Sequence, residues 1–267
     1  MEEAKILKMI ENNPNIISTI NNPTEEMKLL AVSKNGLTLA HIENPSLKMQ
    51  ELAIKNNVRS IRYIKNPTED MMIEAINSGW GLLEYIKNPT EKVIKLAIEQ
   101  SGWAIQYIKD PSEELQLIAV KKDYDSIKYI KNPYESVQIE AVKTNYGSLK
   151  FINNPTFKVQ LLAVKENESA ITFIHDLDSN KMLELLKVNI LVIKYISMKI
   201  SLEELTKALK EKLSSEDIEE KYVRDFLNCN VIDRNSSTFN IDKILFIYKY
   251  GSKIAKKVAV DEKLKMI

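Results

Sequence analysis

Seven of the eight prolines, at positions 23, 45, 67, 89, 111, 133 and 155, stand 22 residues apart, and only Pro14 lies off that grid. Nearly the same words return with each proline; Tyr63-Ile64-Lys65-Asn66-Pro67-Thr68-Glu69 is typical. A fixed period of this length marks a stacked repeat array. One unit cannot bury its apolar face alone, whereas stacked units share a continuous core.

Each proline is preceded by Asn22, Asn44, Asn66, Asn88, Asp110, Asn132 or Asn154, and all but one are followed by Thr or Ser (Thr24, Ser46, Thr68, Thr90, Ser112, Tyr134, Thr156). Such a string followed by Glu opens a helix. Either the Asn caps with Pro in the first turn, or the hydroxyl caps one residue later; the second is favoured. Eight residues after the proline comes an unvarying alanine (Ala31, Ala53, Ala75, Ala97, Ala119, Ala141, Ala163), always followed by Val or Ile. With Met27, Met49, Met71, Val93, Leu115, Val137 and Val159, four after the proline, these define one apolar face of a helix of about three turns, helix A. The alanine marks a place where a neighbouring helix comes too close for a larger side chain.

A polar break follows, such as Asn35-Gly36 or Ser101-Gly102, and then a second apolar motif, as in Ile61-Arg62-Tyr63-Ile64 or Ile127-Lys128-Tyr129-Ile130. It is one turn long, which suits a short helix B that packs on two neighbours and ends at the next Asn-Pro. The expected fold is all-α: a right-handed α-solenoid of about eight 22-residue two-helix repeats with a C-terminal helical cap.

The string Asn-Pro-Thr/Ser-x-x-(Met/Val/Leu)-x-x-x-Ala-(Val/Ile) resembles short helical repeats of the HEAT-like and leucine-rich-variant kind over roughly residues 14–198. It is most similar to uncharacterised repeats of bacterial and bacteriophage proteins. The resemblance implies a binding scaffold and carries no catalytic residues to transfer.

With 38 Lys+Arg against 37 Asp+Glu the net charge is +1, which argues against a binder driven by overall positive charge but leaves room for a local basic stripe. The single cysteine, Cys229, excludes an internal disulfide framework and fits a reducing cytoplasm, the host's if the chain is phage-encoded. The acidic Met1-Glu2-Glu3-Ala4 is not read as a signal peptide, and no stretch reaches membrane-spanning length.

Residues 1–22 keep the grid loosely, with Met9 in the alanine column and Lys5 in an apolar one, as in an N-terminal capping repeat. Residues 23–198 hold the solenoid repeats; the last lacks its proline and places Leu185 in the alanine column. From 199 to 267 the period is lost. Helices are expected from Ser201 to about Leu213, from Ser215-Glu216-Asp217 through Leu227, and from Ile241 to Val260. This segment is either a C-terminal helical cap or a small domain that contacts a partner.

Trp80, Trp103, Tyr124 and Tyr146 fall at nearly one position in the polar break of four consecutive units, where no core demand is visible. Trp and Tyr are common interface anchors, so these four are candidate partner-binding residues; the competing reading folds the rings back to seal the groove between helices. Lys65, Lys87, Lys109 and Lys131 form a second column that could track phosphates or an acidic protein, or simply sit well at the B-helix C-termini. The Tyr63, Tyr85, Tyr107, Tyr129 column, continued by Phe151 and Phe173, is read as inter-repeat core, and the Asn/Asp column as local capping. His41, His175 and Cys229 have no partners at catalytic or ligand spacing, so no catalytic, metal or cofactor site is expected. The leading expectation is a non-enzymatic protein-binding scaffold, and the alternative is a nucleic-acid-binding solenoid using the lysine edge.

Overall fold

A computed structural model describes residues 2–265. Met1, Met266 and Ile267, at the ends of the first and last expected segments, lie outside the described residues. The chain is an all-α repeat solenoid that alternates an α-helix with a 3₁₀-helix, and it forms two compact units, Met1–Asn132 and Pro133–Ile267.

The A helices follow the sequence closely. Glu25–Lys34, Leu47–Asn56, Glu69–Ser78, Glu91–Gln100 and Glu113–Lys122 each span ten residues in the first unit. Each starts at the expected hydroxyl: Thr24, Ser46, Thr68, Thr90 and Ser112 accept a hydrogen bond from the backbone N–H three residues on. The repeat alanines are fully buried. Asn22, Asn44 and Asp110, before their prolines, adopt φ near +50°, a left-handed turn that Asn and Asp tolerate better than most residues. This backbone demand accounts for Asn or Asp at those three positions of the column.

The B segments are six-residue 3₁₀-helices: Pro14–Thr19, Gly36–His41, Val58–Tyr63, Trp80–Tyr85, Gly102–Tyr107 and Tyr124–Tyr129. They end at the His or Tyr column, not at Asn-Pro, because the following Ile is already extended, as at Ile64 (φ −96°, ψ 117°). The polar-break residue serves both helices. Asn35 donates its N–H to the Ala31 carbonyl and accepts from Leu37 N–H through its side chain, so it closes helix A and caps helix B.

Three residues per turn correct the expected core. Ile61 and Ile64, three apart, face inward together, and the same holds for Leu83 with Ile86 and Ile127 with Ile130. Tyr63 lies two residues from Ile61 and is rotated off that face. The tyrosine column therefore points outward and is not inter-repeat core, with Tyr63, Tyr107 and Tyr129 exposed and Tyr85 half-buried.

Adjacent repeats are stitched by polar side chains as well as by apolar packing. Asn56 accepts from Gly36 N–H (2.7 Å) and donates to the Ser33 carbonyl (3.0 Å) of the preceding repeat, and Gln100 donates to the Ile76 carbonyl (2.7 Å). At the N-terminus, Glu2–Asn12 and Pro14–Thr19 form the loose first repeat, in which Ile10 and Ile17 join Met27 and Ala31 in the core while Met9 is exposed.

The second unit continues the alternation with A helices Glu135–Thr144, Phe157–Glu166 and Ser179–Val188 and B segments Tyr146–Phe151, Glu168–Phe173 and Ile190–Val192. Tyr134 supplies no side-chain cap, as its phenol replaces the usual hydroxyl. In the last repeat Leu185 is fully buried, and the B segment relaxes into a short α-turn, Ile193–Ile196. The helix Leu202–Ser214 opens on the expected Ser201, with Glu204 completing a capping box, and packs on Ser179–Val188.

Two C-terminal expectations are corrected. The next helix is Glu220–Asn228: Ser215 bonds the Asp217 carboxylate in a turn, which delays the helix start. The long segment from Ile241 divides into Lys243–Tyr250 and Lys253–Leu264, because Gly251 closes the first and Ser252 caps the second through Ala255 N–H while donating its own N–H to the Leu213 carbonyl. A cap residue held by another element leaves no continuous helix. A two-residue parallel pairing of Ile232–Asp233 with Phe239–Asn240 is the one sheet among the described residues.

Candidate interaction surface

In the first unit the A helices stack side by side and the 3₁₀ segments form a second layer. The 3₁₀ layer is where the exposed aromatic residues collect. Tyr63, Trp103, Tyr107, Tyr124 and Tyr129 keep between 36% and 41% of their surface exposed. Such exposure, repeated for large rings in successive units, is not required by the core.

Trp103 is the best-defined member. Its indole N–H donates to Asp125 Oδ1 at 2.7 Å, and Asp125 also receives Lys128 Nζ at 2.8 Å. Lys128 Nζ lies 4.6 Å from the Trp103 ring centroid and 5.0 Å from that of Tyr129. Partial burial would push the Asp125 carboxyl up, but the Lys128 ammonium and the Trp103 N–H outweigh it and hold the pKa below the ordinary value. Asp125 in turn raises the Lys128 pKa. Both groups therefore stay ionised at neutral pH, and the indole is tied to the following repeat.

The pattern recurs in neighbouring units. The Arg62 guanidinium lies 4.4 Å from the Tyr85 ring centroid, and Trp80 meets Tyr107 with ring centroids 6.3 Å apart. Burial, followed by the nearby Glu84 carboxylate, raises the Tyr107 pKa, so its hydroxyl remains a donor.

The four expected aromatic residues do not occupy one position. Trp80 and Tyr124 open their 3₁₀-helices, whereas Trp103 is the second residue of its own and aligns with Asp125. Where a glycine opens the segment, the next repeat comes too close for a side chain. At Gly102, a Cβ would meet the Ala119 carbonyl oxygen of the next repeat at 2.2 Å, and at Gly36 the Ala53 carbonyl oxygen at 2.4 Å. Trp80, in the same column, is half-buried. Tyr146 belongs to the second unit, where it is half-buried and its hydroxyl accepts from Ser169 Oγ at 3.4 Å.

Lys65, Lys87, Lys109 and Lys131 are all exposed, and none forms an ion pair or hydrogen bond among the described residues. In sequence each lysine stands two residues after a tyrosine of the outward column, Lys65 after Tyr63 and Lys131 after Tyr129. Sequence reasoning missed Asp125, Lys128 and Arg62; the legible signal was that Asp125 lies one repeat, 22 residues, after Trp103.

In the second unit, a groove of about 690 Å³ beside Lys243–Tyr250 is lined by Leu227, Ile244, Leu245 and Tyr248, with Asp233 and Lys243 on its rim. His41 and His175 are exposed, and Cys229 is buried. No group of three His, Cys, Asp or Glu residues among the described residues could hold a metal ion. Nor is any described helix long and apolar enough to cross a membrane. No protein-family model matches the chain, and neither a curated protein nor a solved structure is significantly similar to it.

Proposed function

We propose that the protein is a non-enzymatic protein-binding scaffold whose contact surface is the 3₁₀ layer of the first unit. The observation that carries this reading is the fixed, outward Trp103, held by Asp125 and covered on one side by Lys128. An aromatic ring already locked in place loses little conformational freedom on binding, which is what an interface anchor needs. Trp80 and Tyr124 extend the set of anchors, and Lys65, Lys87, Lys109 and Lys131 supply charge that selects the partner; Tyr146 lies in the second unit and is not counted on this surface. The resemblance to bacterial and bacteriophage repeats extends the proposal to a host or defence protein in the cytoplasm as the partner that the scaffold blocks.

Affinity capture with the wild type and the Trp80→Ala/Trp103→Ala variant, each with and without nuclease, tests this reading. A nuclease-resistant protein partner that is lost with the variant is the expected result; capture indifferent to the two tryptophans refutes it. The adjoining, unpaired lysines favour one second reading, nucleic acid along that edge. It requires affinity that falls steeply with salt and is lost evenly as the four lysines are neutralised.

A further inference from the structure

We infer that the occupant of this surface is an extended acidic peptide in the polyproline II conformation, with a carboxylate at every third residue; the inference rests on the 3₁₀ layer of the first unit being the contact surface. Three independent features select this class.

The first is spacing. Packed helical elements repeat at ~8–10 Å. A polyproline II chain advances ~3.1 Å per residue with three residues per turn, so equivalent side chains recur every ~9.3 Å, one per repeat. A β-strand presents same-face residues every ~6.6–6.8 Å and would slip out of phase by ~2 Å at each repeat.

The second is hydrogen bonding. A polyproline II backbone makes no internal hydrogen bonds, so its carbonyls need donors. The exposed Tyr63, Tyr107 and Tyr129 offer hydroxyls on three of four consecutive repeats, while Tyr85 is half-buried beneath Arg62.

The third is charge. Lys65, Lys87, Lys109 and Lys131 are exposed and unpaired among the described residues, one per repeat, and they complement a carboxylate on every turn. A single-stranded nucleic acid fits the same cations less well, because it binds by stacking bases on open ring faces. Here cations already lie over the rings of Tyr85, Trp103 and Tyr129.

The test is fluorescence anisotropy with the full chain and four labelled probes: (Pro-Pro-Glu)₄, (Gly-Ser-Glu)₄, (Pro-Pro-Lys)₄ and a twelve-residue oligothymidylate. (Pro-Pro-Glu)₄ should bind at least tenfold tighter than the flexible peptide of equal charge, and (Pro-Pro-Lys)₄ should not bind. Lys87→Glu/Lys109→Glu, at exposed positions that leave the circular dichroism unchanged, should weaken (Pro-Pro-Glu)₄ at least tenfold. Equal affinity for the flexible peptide, tighter binding of the oligothymidylate, or no binding of (Pro-Pro-Glu)₄ each overturns the inference. If (Pro-Pro-Glu)₄ is silent while protein capture still depends on Trp80 and Trp103, the occupant is wrong and the surface stands. If capture ignores the tryptophans as well, the surface itself is wrong.

Discussion

Gly102→Ala should destabilise the first unit, whereas Gly81→Ala, one repeat earlier and one residue along, should not. At Gly102 an added Cβ would sit 2.2 Å from the Ala119 carbonyl oxygen and 3.2 Å from Asp123 Cβ, both in the following repeat. The nearest obstacle is backbone, so relief requires the two repeats to part until that contact passes 3.0 Å. Overpacking of this kind costs ~1–3 kcal/mol. Parting the repeats also stretches the bond from Gly102 N–H to Asp123 Oδ2, now 2.7 Å. A hydrogen bond to a charged group contributes ~1.5–3 kcal/mol, of which a stretched bond loses a part. Stiffening the unfolded chain returns only ~0.4–1 kcal/mol. The net expectation is a loss of ~2–3 kcal/mol. At Gly81 no atom lies within 4 Å of the added Cβ and φ is not positive, so only the stabilising ~0.4–1 kcal/mol remains. Urea unfolding, followed by tryptophan fluorescence and by far-ultraviolet circular dichroism, measures both variants, and Trp103 and Trp80 flank the two sites as local probes. Repeating Gly102→Ala in an Asp123→Ala background separates crowding from the lost bond. If Gly102→Ala lies within ~0.5 kcal/mol of wild type, the repeats slide apart freely and the close approach carries no energy.

Thr90→Ala removes the hydroxyl that accepts from Val93 N–H and should cost ~1 kcal/mol in the same urea assay. Ser148→Ala, which loses a buried bond to the Ala141 carbonyl, should cost ~0.5–1.5 kcal/mol, whereas Ser60→Ala and Ser126→Ala, whose buried hydroxyls have no partner, should be neutral or stabilising; a uniform cost across the three would contradict the hydrogen-bond assignment. Because the folded Asp125 pKa lies below its unfolded value, its stabilising contribution is present above the ordinary aspartate range and is lost as pH falls through the depressed value. Acid titration should therefore shift Trp103 emission below that ordinary range, and Asp125→Asn should abolish the transition; a shift that survives the substitution assigns it to another group.

Helix A was legible almost residue by residue because its signals are local. A hydroxyl at the cap, an apolar face and an alanine at the close approach each have one geometric reading, and Thr90, Val93 and Ala97 fill those roles. Helix B was legible as a short helix packing on two neighbours, but Tyr63 was assigned to the core beside Ile61 and Ile64. Three residues per turn pair Ile61 with Ile64 and leave Tyr63 outside, and the recurring spacing of three was the signal for it. Trp103 and the lysines were legible as surface residues. The tie between Trp103 and Asp125 was not, since it depends on which column faces which across a repeat boundary. At the C-terminus, Gly251-Ser252 carried a stop and a start, but the apolar residues from Ile241 onward run through both helices and mask the break.

In the first unit some A-helix charges meet within their layer, while others there, such as Lys48, Lys55, Lys121 and Lys122, stay exposed without an ion pair among the described residues. Of those that meet, Lys92 pairs with Glu69 of the preceding repeat, and Lys95 bridges Glu91 of its own helix and Glu114 of the next. Thr90 and then Lys92 lower the Glu69 pKa, and Glu114 and Glu91 raise that of Lys95, so these groups are largely matched in place. On the 3₁₀ side, Asp125 neutralises Lys128 locally, while Lys65, Lys87, Lys109 and Lys131 have no such counterpart among the described residues. Where long side chains on adjacent A helices reach one another across the stack they pair, as Lys95 and Glu114 do, and lysines of either layer without such a neighbour stay in solvent. The core takes the inward apolar pair of each 3₁₀ segment together with the alanine, the Val or Ile after it and the Met, Val or Leu of helix A, which leaves the outward 3₁₀ positions free to differ from repeat to repeat. Those are the positions at which this chain carries Arg62, Glu84, Trp103 and Lys128. A surface that varies over an unvarying core is how a repeat array distinguishes one partner from another.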